Sequence, residues 1–242
     1  MKNIAIITHY YNSTNYGGVL QSYALPKFLN ENGYNAVQVS YPLIGDTSGL
    51  SIQERIKSKF KTNFFKALFS LFVWLFKSVS KKITLIFRKK TINRLNEITT
   101  KKSASFKHFS EDLIPHTAVV YNDKTLSELN NQYDMFICGS DQVFNFNMFK
   151  EGFFLNFVNN NKIKISYAAS MANCEVPEDK RLFFIESLSS FTDISVREEE
   201  AAILIKELTK RDVKYVVDPV FLLSKNDWNQ IASRRLTTGG MR

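Results

Sequence analysis

Cysteine, proline and glycine are all sparse in this chain: two, five and nine among 242 residues. Cys138 and Cys174 lie far apart, with no Cys-x-x-Cys and no metal-type spacing. His9, His108 and His116 are equally scattered. The roughly four converging ligands that a structural zinc needs are missing, and no metal is expected. Long apolar runs are absent too. The uncharged stretch Ala67–Phe76 has ten residues between Lys66 and Lys77, well short of the roughly 18–20 that span a bilayer. The N-terminus lacks the basic–apolar–small pattern of a signal peptide, and the cytoplasm is the expected location. There is no Gly-x-Gly-x-x-Gly and no P-loop, which argues against dinucleotide and P-loop nucleotide binding.

What is present describes a globular chain. Apolar residues make up 44% and charged residues 23%, an ordinary balance that argues against disorder. The net charge of +9 is local. Residues 57–102 hold thirteen Lys/Arg against one acid, Glu97, and the remainder carries −3. A domain-wide basic face, the footprint of a nucleic-acid binder, is therefore not expected. Residues 50–108 read as a helical, basic, Phe-rich insertion. Either its apolar side chains cover the sheet while the lysines reach water, or it lies as an amphipathic helix on anionic lipid at the inner face of the membrane. Membrane contact through 57–102 would suit an enzyme acting on lipid-linked sugars.

The rest alternates strand and helix. Asn3–Thr8 is a short, nearly continuous apolar run, as in a strand buried on both faces. After Gly17-Gly18, the spacing of Val19, Leu20, Tyr23, Ala24, Phe28 and Leu29 predicts a helix, with Gly33 just past its end. Ala36–Tyr41 then reads as a strand closed by Pro42, completing a β-α-β unit. Further strands are expected at 118–121, 134–138, 162–169, 193–196 and 214–217, with helices at 125–130, 178–190 and 198–208. The expected fold is α/β: a doubly wound, Rossmann-like parallel sheet over 1–228 with the insertion at about 50–108. Residues 229–242 lack apolar periodicity and read as a linker or tail.

Polar groups recur just past the predicted strands: Asn15–Gly18, Gly139–Gln142, Ser170 and Arg197. In an open parallel sheet, ligands bind outside these carboxyl ends. Gly17-Gly18 would let backbone approach a ligand at a helix start, or form a plain tight turn. Gly139-Ser140-Asp141-Gln142 offers hydrogen bonds to sugar hydroxyls and a general base at Asp141, or a helix cap. Arg197 could hold a phosphate or carboxylate in a bidentate fork, or pair with Glu198–Glu200. Asp218-Pro219 reads as a turn, and His9 as a hydrogen-bonded strand-end residue or a group facing the cleft.

Five segments come in one order: residues 15–25 (NYGGVLQSYAL), 133–145 (YDMFICGSDQVFN), 165–170 (ISYAAS), 194–198 (ISVRE) and 217–220 (VDPV). Together they resemble the polysaccharide pyruvyl transferase family, which usually has Trp where this chain has Phe144. The resemblance implies the N-terminal domain of a GT-B-like architecture, whose second domain supplies a His and further Arg. That domain is expected to be absent from this chain, leaving an incomplete enzyme. The implied activity is transfer of the pyruvyl group of phosphoenolpyruvate to a sugar or lipid-linked sugar of a surface or exopolysaccharide. Phosphoenolpyruvate is the donor substrate, and no cofactor is implied. By resemblance, the Asn15–Gly18 turn and Gly139–Gln142 would line the cleft, and Arg197 would help hold the anionic donor or the sugar phosphate. The expected catalytic residues are Asp141 and Arg197, and the expected substrate-binding residues are Asn15, Tyr16, Gly17, Gly18, Gln21, Gly139, Ser140, Gln142, Asn145 and Ser170. Two alternatives remain: a noncatalytic sugar- or anion-binding or membrane-peripheral module, and a glycosyltransferase using a nucleotide sugar.

Overall fold

The chain divides into two units, Met1–Leu43 with Phe106–Arg242, and Ile44–Ser105. The computed structural model describes residues 1–43, 100 and 102–238, and the first unit is the one considered below. Nearly all of the basic segment 57–102 and most of the expected insertion lie outside the described residues. Among the described residues, no helix is long and apolar enough to cross a membrane.

The first β-α-β unit forms as the sequence pattern requires. Strand β1 (Asn3–Ile7) is buried from Ile4 onward. Asn15 then caps helix α1 (Tyr16–Glu31), its side chain accepting a hydrogen bond from the Gly17 amide. The helix ends at Asn32, and Gly33 follows at φ +86°. There the Tyr34 amide bonds Leu29 O and the Gly33 amide bonds Asn30 O, a Schellman closure. Pro26 sits inside α1 and has no N–H to give to the Ser22 carbonyl four residues back. Gln38 on β2 (Asn35–Ser40) fills the gap, donating from Nε2 to Ser22 O at 2.9 Å.

Helical residues 106–113 (α2) precede β3 (His116–Val120), and β4 spans Met135–Cys138. Then follow β5 (Ile163–Ala169), α3 (Arg181–Ser189), β6 (Asp193–Val196), α4 (Glu199–Thr209), β7 (Lys214–Tyr215) and α5 (Lys225–Thr238). The strands form one all-parallel sheet in the order β3-β2-β1-β4-β5-β6-β7. The expected strands are all present, and the order reverses direction between β1 and β4. The expected helix at 125–130 is a 3-10 turn at Leu126–Asn131.

The C-terminal segment differs from expectation. Helix α5 runs through residues read as linker or tail. Its first turn is set by Ser224, whose amide and hydroxyl both donate to the Asp227 carboxylate, while Trp228 Nε1 donates to Val220 O. A good cap and one anchoring ring suffice to start a helix, so the apolar stripe that marks a buried helix is not required.

Alternation places Ile4 and Ile6 on one face of the sheet, packed with Leu25 and Ala36 under α1. Ala5 and Ile7 point to the other face, into a core rich in phenylalanine. Phe144 is fully buried there, its ring 5.2 Å from Phe154 and nearly parallel to it. Phenylalanine suits this spot because it needs no hydrogen-bond partner, whereas an indole N–H would.

Candidate active site

The site forms where the strand order reverses, between the loops that leave β1 and β4. Gly139 follows β4 at φ +108°, a conformation open to glycine, and Asp141 has φ 38°. The Gly139 amide donates to Ile7 O at 3.0 Å, tying the β4 loop to the end of β1. The two walls meet at Gly18. A Cβ there would lie 2.8 Å from Asp141 Oδ2 and 2.8 Å from the His9 carbonyl. Gly17 has no such constraint, since its Cβ would meet only Asn15 Oδ1 at 3.5 Å.

Gln21 fastens this junction from inside. It is buried, accepts from the Ser140 amide at 3.1 Å, and donates to Thr8 Oγ1 at 3.0 Å and Gly18 O at 2.8 Å. Its amide is thus engaged with the protein, and the side chain works as a strut behind the site. Replacing it with leucine would leave the Ser140 N–H buried without a partner. Gln21→Leu is expected to lower stability by about 1–3 kcal/mol, read from urea unfolding midpoints.

Over β4 to β7 lies a hydrogen-bonded chain of charged groups. Ser140 Oγ is 3.0 Å from both Ala168 O and Asp218 Oδ2. Asp218 Oδ2 also accepts from Arg197 Nη1 at 2.9 Å, and Asp218 Oδ1 caps the Pro219–Leu222 turn through the Val220 amide. Arg197 Nε is 3.7 Å from Glu198 Oε1. The Glu198 carboxylate takes the Ser170 hydroxyl at 2.5 Å and the Met171 amide at 3.3 Å. Asp141 is half-buried, and burial pushes its carboxyl above the usual range. The Gln142 amide bond and Arg197 pull it back, and Asp218 pushes it further up. A raised carboxylate is the stronger base near neutral pH. Three carboxylates therefore share one guanidinium, a setting that favours hydroxyl donors over free anions.

The sequence-derived residues fall into three groups. Gly18, Gly139, Ser140, Asp141, Ser170 and Arg197 come together. Gln142 and Asn145 bond each other at 2.9 Å, and Asn145 caps the turn at Phe146–Met148, so both shape the loop. Asn15, Tyr16 and Gly17 lie at the exposed start of α1, where the Tyr16 ring meets Phe106 edge-on at 4.6 Å. Two site residues were not singled out by the sequence. Asp218 is both the expected turn residue and the hub that holds Arg197 and Ser140. Glu198, taken only as an ion-pair partner, also fixes Ser170. Their signal was position: each follows the carboxyl end of a strand. Among the described residues, no cluster of His, Cys, Asp and Glu is arranged to hold a metal ion.

His9 is buried at the end of β1, and burial with the nearby Lys150 charge lowers its pKa to about 4 from 6.5. Between those values the unfolded chain binds a proton that the folded chain does not, so stability rises with pH across the window. This contribution is complete above about pH 6.5 and falls away toward pH 4, by roughly 3 kcal/mol in all. Asp141 acts in the opposite sense, because its raised pKa favours the folded state less as pH rises. Urea unfolding at a series of pH values is expected to show a steep loss in the wild type. His9→Leu should flatten the curve across that window.

A seven-stranded parallel sheet with flanking helices, and polar loops at its topological switch point, define a Rossmann-like α/β domain. The sequence model of the family described as polysaccharide pyruvyl transferase matches residues 15–238. The chain belongs to that transferase family. No curated protein matches it.

Proposed function

We propose that this protein transfers the pyruvyl group of phosphoenolpyruvate to a sugar of a surface or exopolysaccharide, or to its lipid-linked precursor. The observation that carries the proposal, beside family membership, is the half-buried Asp141 carboxylate set against the Arg197–Asp218 pair at the switch point. Pyruvyl transfer needs a base for the sugar hydroxyl, an acid for the enol carbon and positive groups for the phosphate. In this proposal Asp141 takes the proton of the hydroxyl that adds to the enol's central carbon. The methylene carbon gains a proton, and a second sugar hydroxyl then displaces phosphate to leave a ketal. Ser140 and Ser170, both buried, hold the Asp218 and Glu198 carboxylates in place, and Arg197 steadies the charge that develops. The expected location is the cytoplasm, at the inner face of the membrane when the acceptor is lipid-linked.

The test is release of inorganic phosphate from phosphoenolpyruvate, dependent on an acceptor sugar, with the ketal product identified by mass. A donor screen by calorimetry accompanies it. Binding of a nucleotide sugar with no response to phosphoenolpyruvate would replace this function with glycosyl transfer.

A further inference from the structure

A second polar cluster lies over β1, β2 and β3, and the chemistry above leaves it unused. His9 follows β1, Tyr41 follows β2, Asp123 follows β3, and Lys150 lies in the loop beyond β4. His9 is 8% exposed, and neither ring nitrogen has a hydrogen-bond partner among the described residues. A buried imidazole with both nitrogens unpaired is unusual, because its donor and its acceptor have each lost water without replacement. The ring meets Phe153 edge-on at 4.3 Å, and Phe153 packs on Tyr41 at 5.4 Å. The Lys150 ammonium sits 3.7 Å over the Tyr41 ring and donates to Pro42 O.

Lys150 brings a positive charge into this corner. The Lys150 side chain is 10% exposed, and its nearest carboxylate, Asp123 at 3.9 Å, is largely in water. Tyr41 donates its hydroxyl to Asp123, which spends part of that carboxylate elsewhere. Glu151 acts on Tyr41 from a distance, and Asp141 stands across Gly18. The ammonium places a positive potential on His9, consistent with the low pKa of the imidazole. An oxygen that is negative and accepts a hydrogen bond would satisfy the His9 N–H and be attracted by Lys150. This contrasts with the acidic surroundings of Arg197.

We propose that His9 and Lys150 form an anion subsite at the carboxyl end of β1, taking a carboxylate or phosphate oxygen. Assigning that oxygen to phosphoenolpyruvate rests on the pyruvyl-transfer function; the subsite itself does not.

The experiment is NMR of the full chain labelled with 15N-histidine, with the His9 signal assigned through its contact with the Phe153 ring. Inorganic phosphate and pyruvate are titrated separately, to about 50 mM, beyond the millimolar range of weak sites. The expected result is a saturable shift of the His9 nitrogens and a rise of its pKa with bound anion. Lys150→Met should weaken binding about tenfold, as for loss of one charged contact. A response to phosphate alone assigns the phosphoryl end, and a response to pyruvate alone assigns the carboxylate end. A silent His9 in the wild type means that the imidazole meets only buried water, and overturns the proposal whether or not a variant folds. Equal affinity in a folded Lys150→Met overturns it too. A responding His9 without pyruvyl transfer removes the activity and keeps the subsite; transfer with a silent His9 does the reverse.

Discussion

Arg197→Ala is expected to lower turnover by about 2–4 kcal/mol in activation free energy, roughly 30- to 1000-fold, the usual cost of losing a positioned charge donor. The geometry explains why the loss should be large. Arg197 is the one cation placed among Asp141, Glu198 and Asp218 by the described contacts. Removing it leaves Ser140 as the side-chain donor to Asp218 Oδ2. It also removes the positive charge that lowers the Asp141 pKa, so Asp141 should hold its proton to higher pH. The acidic limb of the pH–rate profile, where the rate rises as the base ionises, should therefore move to higher pH. Asp218→Asn removes a charge that raises the Asp141 pKa, so the same limb should move downward. Arg197→Lys keeps the charge and loses the planar fork, and should fall between wild type and alanine. These effects are read from phosphoenolpyruvate-dependent phosphate release across pH. Unchanged turnover in Arg197→Ala would take this residue out of the site.

The second large effect is structural. Gly139→Ala would place a Cβ 2.5 Å from the Tyr167 carbonyl and 3.3 Å from the Ala169 backbone, at a φ of +108°. Neither neighbour is a flexible side-chain tip, because both belong to β5. The expected cost is about 3 kcal/mol, the sum of backbone strain and overpacking at one point. Gly18→Ala should cost less, about 1–2 kcal/mol, since alanine favours the helix by up to about 1 kcal/mol. It should still impair turnover, because the Asp141 carboxylate must move aside. Gly17→Ala has room and should stay within about 0.5 kcal/mol of wild type. Denaturant midpoints of the three variants, measured together, test this ranking. A Gly17→Ala variant as unstable as Gly139→Ala would show that the loop is packed differently.

Much of this architecture was legible in the residues themselves. The apolar runs at 3–8 and 134–138, the helical spacing after Gly18 and the stop at Gly33 all report local periodicity or local turn chemistry. Those signals extend over a few residues, so they define strands and helices without tertiary information. The carboxyl-end loops could be found in the same way, because each directly follows a recognisable strand. Helix α5 escaped because a helix with a good cap and an open face needs no apolar stripe.

The sequence by itself determined the α/β class, the order of elements and the polar loops at the carboxyl ends of the strands. Only the tertiary structure decided which side chains meet. Gln21 holds Ser140 from 119 residues away, and Ser140 meets Asp218 across 78. Such pairs depend on the sheet order and on the reversal between β1 and β4, which no local pattern encodes. The same holds for burial. It separated Gln21, a strut, from Asp141, a half-buried carboxylate, and left the His9 nitrogens without a hydrogen-bond partner among the described residues. Desolvation is a property of the whole packed domain, and it is what turns these polar residues into a site.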